Sequence, residues 1–212
     1  MATETDLSSR ASTAIRRVTK GWPQTTTGND RGRPLLEQAG PRSALKRSLG
    51  AAPDSSLALL ALRHIEPFLT EHSNEAEERA FLTVLAMVCA QSPRARAADM
   101  REPLLNGRST LGSSMAHAVV THKLFSDDLA EHRLILLARQ NSTGIHRLLP
   151  RTVLHLRGSL VPVRWPGLIE DLTTWPIQQR KTSKQWIRDY HRTVNRLRAE
   201  RTTTKPDESE TE

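Results

Sequence analysis

Leu168, Ile169, Leu172 and Trp175 fall at positions i, i+1, i+4 and i+7. That apolar stripe predicts a helix over roughly 166–175 with Trp175 on its buried side. Pro166 opens it, where a missing N–H costs nothing, and Pro176 terminates it. By the same rule Pro150 opens a preceding helix, roughly 150–160. Ser126 before Asp127 and Asp128 reads as an N-cap with acids in the first turn, for a helix over roughly 127–139 closed by Arg139. Asn74, three residues ahead of Glu77, has the spacing of a capping box for a helix over roughly 75–90. The second half of that helix, AFLTVLAMVCA, is apolar all round, which predicts the central helix of its subdomain. Another helix is expected over roughly 110–124. Gly, Pro, Ser and Asn cluster at 91–114 and predict a long connecting loop. No stretch sustains an alternation of period two, so the expected fold is all-α: two packed helical bundles with no sheet. The predicted division is 1–125, with residues 1–7 loose, then 126–201, then an acidic tail, 202–212, that cannot fold alone.

The last predicted helix, from Thr182 or Ser183 as N-cap to about Arg198, carries the densest pattern. With Arg180 at zero and about 100° per residue, Trp186, Ile187, Tyr190, Val194 and Leu197 lie between about 240° and 340°, one apolar arc. Lys184, Arg188, Arg192 and Arg196 lie at about 40°, 80°, 120° and 160°, with steps of roughly 6 Å along the axis. Asp189 is the one acid between Lys184 and Arg198. A solvated helix face normally mixes signs, so this ridge reads as a surface for a polyanion. Trp186 and Tyr190 read as core. Trp165, just before a helix and beside Arg164, admits either core packing or base stacking.

Charge extends the picture to the whole chain. The net charge of +8 divides into +5 over residues 1–50, −4 over 51–132, +10 over 133–201 and −3 over 202–212. Two basic segments around an acidic middle imply a directed field and a polyanionic partner. The one cysteine, Cys89, excludes a disulfide scaffold and sits in an apolar run, where it reads as a small buried hydrophobe. No apolar run approaches the ~18 residues of a membrane span. With no secretory h-region, and with Glu4 and Asp6 against a transit peptide, a cytoplasmic protein is expected. His117 and His122 are five apart, which is not a helix-face metal pair, and no HExxH, GxxxxGK[ST] or GxGxxG occurs. Paired acids such as Asp127/Asp128 and Glu77/Glu78 sit at helix starts, where the macrodipole accounts for them. Neither an enzyme, a metal nor a cofactor is called for.

The segment LPRTVLHLRGSLVPVRWPGLIEDLTTW, followed by KQWIRDYHR, resembles the C-terminal half of the CasB family, the small subunits of the type I-E CRISPR surveillance complexes known as Cascade. The family pattern of HLR, a tryptophan turn, an LLxDLxxW helix and a final aromatic helix is met by His155, Leu156 and Arg157, then Trp165, then Leu168, Asp171, Leu172 and Trp175, then Trp186, Asp189 and Tyr190. Upstream, GPRSALKRSLG is similar to the family's early basic helix, through Arg42, Ala44, Leu45, Lys46 and Arg47. AEHRLILLAR is similar to a later helix, through Arg133. Arg164 stands where the family often has an acid.

The resemblance implies a non-catalytic all-helical subunit of a ribonucleoprotein. Its implied partners are the backbone subunits, the large subunit CasA, a second copy of itself, and the crRNA–target DNA R-loop. The expected nucleic-acid contacts are Arg42, Lys46, Arg47, Arg133, Arg151, Arg157, Lys184, Arg188, Arg192 and Arg196. Forming an R-loop exchanges one duplex for another of similar stability, so contacts to phosphates can tip the balance. The alternative is a free-standing helix-turn-helix regulator, which needs a recognition helix with side chains set for base edges. A uniform cationic ridge suits phosphates better.

Overall fold

The side chain of Asn74 accepts the backbone N–H of Glu77 at 2.9 Å, and the fourth helix begins at the next residue. In the computed structural model, which describes residues 3–21, 32–101 and 109–203, the chain is all-α. The helices are α1 Thr3–Thr19, α2 Ala39–Ser48, α3 Ser56–Leu62, α4 Glu75–Ala90, α5 Pro93–Arg101, α6 Leu111–Val120, α7 Asp127–Ala138, α8 Ser142–Gly158 and α9 Trp165–Thr203, with short 3-10 turns at Leu35–Glu37 and Glu66–Phe68.

Helix α4 is buried along nearly all of its second half, from Phe81 to Cys89, as an apolar surface on every side requires. It packs against α2, α8 and α9, and α9 also packs against α1, α6 and α7. One hydrophobic core runs from Ala11 to Val194. Glu77 does not close a reciprocal capping box: its carboxylate accepts Ser73 Oγ at 2.6 Å and pairs with Arg10 of α1. The N-terminus of α4 is thereby pinned to α1. Ser126 caps α7 through Leu129 N–H at 3.3 Å, and the division expected near residue 125 lies in the turn ahead of it. The thiol of Cys89 is pushed up to about 12, chiefly by burial, so it stays protonated and serves as packing.

Several expected boundaries are corrected. Pro150 does not open a helix but lies inside α8, which starts eight residues earlier with Asn141 accepting Gly144 N–H at 2.8 Å. Ile145, Leu149, Val153 and Leu156 are buried on both sides of the proline, and this packing outweighs the single donor it lacks. The break expected at Pro176 comes two residues later: Gln178, at φ −116° and ψ 19°, is non-helical, so α9 is two helices joined across a kink, and the second begins ahead of the expected cap and runs to Thr203. Thr182 and Ser183 are therefore buried interior residues rather than N-caps. Gln179 Nε2 and Ser183 Oγ both donate to the carbonyl of Ala138, and Trp175 Nε1 donates to that of Gln140. The bend thus holds the open carbonyls at the end of α7. The expected loop at 91–114 contains helix α5, begun where Ser92 Oγ accepts Ala95 N–H at 3.3 Å. Helix α1 begins at Thr3, within the stretch expected to be loose. Residues 102–108 and 204–212, the latter most of the acidic tail, lie outside the described residues.

A glycine sets the tightest helix contact. A Cβ on Gly112 of α6 would stand 1.8 Å from the carbonyl oxygen of Trp186 and 3.0 Å from the backbone nitrogen of Tyr190. Helix α6 therefore lies backbone to backbone on α9.

Candidate nucleic-acid interface

The aromatic arc of α9 is core. Trp175 and Trp186 are 1% exposed, with ring centroids 5.1 Å apart, and Tyr190 is also buried. Trp186 Nε1 donates to Asp171 Oδ2 at 2.7 Å, and Tyr190 Oη lies 3.3 Å from Asp127 Oδ1. Trp165 is settled the same way: it is 2% exposed, and its Nε1 donates to Asp99 Oδ2 at 3.0 Å. It offers no face to a base.

With its arc buried, α9 turns its other side outward. Lys184, Arg188, Arg192 and Arg196 are all exposed, as are Lys181, Gln185, Asn195 and Ala199 around them. Among the described residues Lys184, Arg188 and Arg192 have no ion pair; Arg196 meets Glu200 one turn on, at 3.2 Å and with both side chains exposed. The acid in the segment is engaged by neutral donors and has no ion pair among the described residues. Asp189 accepts Thr110 Oγ1 at 2.9 Å and Gln185 Nε2 at 2.8 Å, at the start of α6. Lys181 extends the ridge by a turn. The sequence reading missed it because it began the helix at Ser183, although Lys181 lies at about 100° in the same projection.

The remaining expected contacts fall in three places. On α2, Lys46 and Arg47 are exposed, and Arg42 is half-buried with Nη1 donating to the carbonyl of Leu36 at 3.0 Å. Arg42 also lies close enough to Arg96 of α5 to help lower that guanidinium's pKa, behind the larger effect of burial. On α7 and α8, Arg133 and Arg151 line one groove. Arg157 is a correction. It is 2% exposed, with Nε donating to Gln91 Oε1, Nη1 to the carbonyl of Val161, and Nη2 to the carbonyl of Ala95 and to Asp99 Oδ1 at 2.6 Å. Asp99 in turn accepts Gln91 and Trp165. The guanidinium ties together the end of α4, α5, α8 and the start of α9, and it cannot reach a ligand. The signal was available: Arg157 stands four, eight and twelve residues after the buried Val153, Leu149 and Ile145. It was hidden by starting the helix at Pro150.

Residues 41–191 match the family described as CRISPR-associated protein Cse2. The chain belongs to the Cse2 family. A solved chain of a CRISPR RNA-guided surveillance complex is 35% identical, with a TM-score of 0.76 over 92% of this chain and 99% of its own. Two more distant structures share the fold. CasB from M. ruber is 20% identical at a TM-score of 0.62, covering 81% of this chain and 94% of its own. A Cse2-family protein from Thermus thermophilus is 18% identical at 0.56, covering 87% and 97%. No curated protein matches. Arg157, Trp165, Asp171, Trp175, Trp186 and Tyr190, on which the sequence resemblance rested, are buried or bonded between the helices of this Cse2-family chain. Arg164 bonds the Glu170 carboxylate at 3.2 Å.

Asp171 is the strained member of this set. Burial pushes its carboxyl up to about 7; the Trp186 hydrogen bond opposes this, Glu170 adds to it, and smaller effects come from Arg164, which opposes, and Asp189, which adds. A folded-state value above the unfolded one means the folded chain binds this proton more tightly. The stability it contributes is full below the unfolded value of about 4 and is lost as pH rises through about 7. His146 has the opposite sign: burial first, then Arg79, pushes it down to about 4, so stability is gained as pH rises towards about 6.5. Asp171→Asn keeps an acceptor for Trp186 and removes only the acid's contribution. The thermal midpoint of this variant minus that of the parent should rise between pH 4.5 and 7.5; a difference flat with pH would contradict the assignment.

Proposed function

We propose that this chain is the small, non-catalytic subunit of a type I-E CRISPR surveillance ribonucleoprotein, and that its basic surface holds nucleic-acid backbone and steadies the R-loop opened in invading DNA. The observation that carries this is the open face of α9. Five cations, Lys181, Lys184, Arg188, Arg192 and Arg196, stand exposed on one side of a helix whose opposite side is core, and the nearby acid is engaged by neutral donors. Such a surface displaces counterions from phosphates and binds with strong salt dependence and little sequence preference. Sequence reading is left to the guide, and a near-balanced strand exchange needs only modest help from the protein. Lys46 and Arg47 on α2, with Arg133 and Arg151, are further members of the surface, and Arg42 contributes from its half-buried place. The chain of the surveillance complex at 35% identity, covered almost end to end, supports the placement of this protein in such an assembly. Backbone subunits, the large subunit and a second copy are its expected neighbours there.

The membership is tested by purifying the tagged protein from its native host. Recovery with several CRISPR-associated subunits and short RNAs of uniform, repeat-derived ends is the expected result. Recovery alone, or with discrete promoter DNA, would contradict it and favour a free-standing regulator.

A further inference from the structure

Among the clefts of the described surface, three that contain arginines differ in how those charges are answered. The cleft beside the α2–α3 loop sets Glu75 and Glu78 beside Arg79 and Arg147. The one between α6 and the end of α9 holds the Arg198–Asp127 pair. The groove between α7 and α8 has no carboxylate in its lining, which is Arg133, Leu136, Leu137, Leu148, Arg151, Thr152 and His155 around a space of about 270 Å³. Neither Arg133 nor Arg151 has an ion pair among the described residues.

Arg133 is held as a flat plate. Its guanidinium carbon lies 4.4 Å from the centroid of the Phe125 ring, and Nη1 donates to Nδ1 of His155 at 3.2 Å. His155 itself meets the edge of Phe125, with centroids 5.1 Å apart and planes at 86°. An arginine on a free surface must be ordered when a ligand arrives; this one is ordered by the fold. Beside it Leu136 is 54% exposed at the mouth of the groove, and Leu137 and Leu148 continue an apolar wall. A planar cation, an apolar wall and a second unanswered guanidinium together match a flat apolar ring joined to an anion.

We propose that the α7–α8 groove is a single-nucleotide site, taking one unstacked base of a single strand against Leu136 and the Arg133 plate with its phosphate at Arg151. The proposal rests on the reading of the chain as a nucleic-acid-binding subunit and divides its surface into two kinds. The α9 ridge follows any backbone, duplex or single. The groove accepts only a base that has left its stack.

The test is photocrosslinking of the purified full chain to oligothymidylate carrying one 5-iodouracil, as a single strand and paired in a duplex, with crosslinked peptides mapped by mass spectrometry. The single strand should crosslink to peptides of α7 and α8 and the duplex should not. Leu136→Glu, at an exposed position, should lower the crosslink about tenfold, the worth of one stacked base. Arg188→Gln with Arg192→Gln should weaken both strand forms alike and leave the crosslinked peptides unchanged. Equal crosslinking of both forms, base crosslinks outside the groove, or no effect of Leu136→Glu would overturn the proposal. So would displacement of the single strand from the groove by a polyglutamate peptide at lower concentration than free oligothymidylate requires. If the ridge variants weaken binding while Leu136→Glu changes nothing, the backbone reading stands and the groove proposal falls. If the parent protein binds neither form, both fall.

Discussion

Arg157→Ala is expected to destabilise the protein by about 3–5 kcal/mol, the usual consequence of removing one partner from a buried ion pair. Asp99 would lose its charged donor, and Gln91 and the carbonyls of Ala95 and Val161 would lose theirs, in a place with little access to water. For a chain of this size each kcal/mol corresponds to a shift of roughly 2–4 °C in the thermal midpoint, so a fall on the order of 10 °C is anticipated. Because Arg157 and Asp99 share one network, the double replacement should cost less than the sum of the two single ones. Thermal denaturation followed by circular dichroism decides the matter. A variant with the parent's midpoint and weakened nucleic-acid binding would return Arg157 to the surface role that its basic neighbours in the sequence imply.

Gly112→Val should have an effect of comparable size. The first added carbon already meets the backbone of Trp186 and Tyr190, and backbone cannot rotate aside as a side chain can. Helix α6 would have to lift from α9, opening the packing around Met115, Trp186 and Tyr190. Overpacking typically costs about 1–3 kcal/mol where side chains can adjust, and this contact lies at or above the upper end of that range. Gly158 is the internal control. A Cβ there meets nothing within 4 Å, so Gly158→Ala should leave the midpoint unchanged or raise it slightly. Equal midpoints for Gly112→Val and the parent would contradict the backbone contact.

The helical fold is legible wherever a cap and an apolar stripe coincide, as at Asn74 with α4 and Ser126 with α7. It is misread where Pro150 is taken to open a helix: the proline costs a hydrogen bond, but buried residues on both sides carry α8 through it, and single-sequence reasoning does not see that packing. Pro176 is the better guide, since the chain breaks at Gln178 two residues on. Helix α5 hides for a related reason: PRARAADMR carries only one buried apolar residue, Ala95, too few for a periodic signal. The basic face of α9 is legible because its four-residue spacing is a property of the sequence itself. The split among the other basic residues is not, since Arg151 and Arg157 lie on the same helix and only its true register shows that one faces out and the other in. Preorganisation of Arg133 by Phe125 and His155 is likewise invisible until the turn before α7 is folded against α8.

The most direct test of the account is the lifetime of the R-loop formed by the assembled surveillance complex at physiological salt, compared between the parent protein and Arg188→Glu with Arg192→Glu. Both side chains are exposed and unpaired among the described residues, so helicity and thermal midpoint should be nearly unchanged, as surface substitutions usually leave them. The account predicts a shorter-lived R-loop, with the deficit growing as salt is lowered and phosphate contacts matter more. An R-loop as long-lived as the parent's, in a complex that still contains the variant subunit, would contradict it.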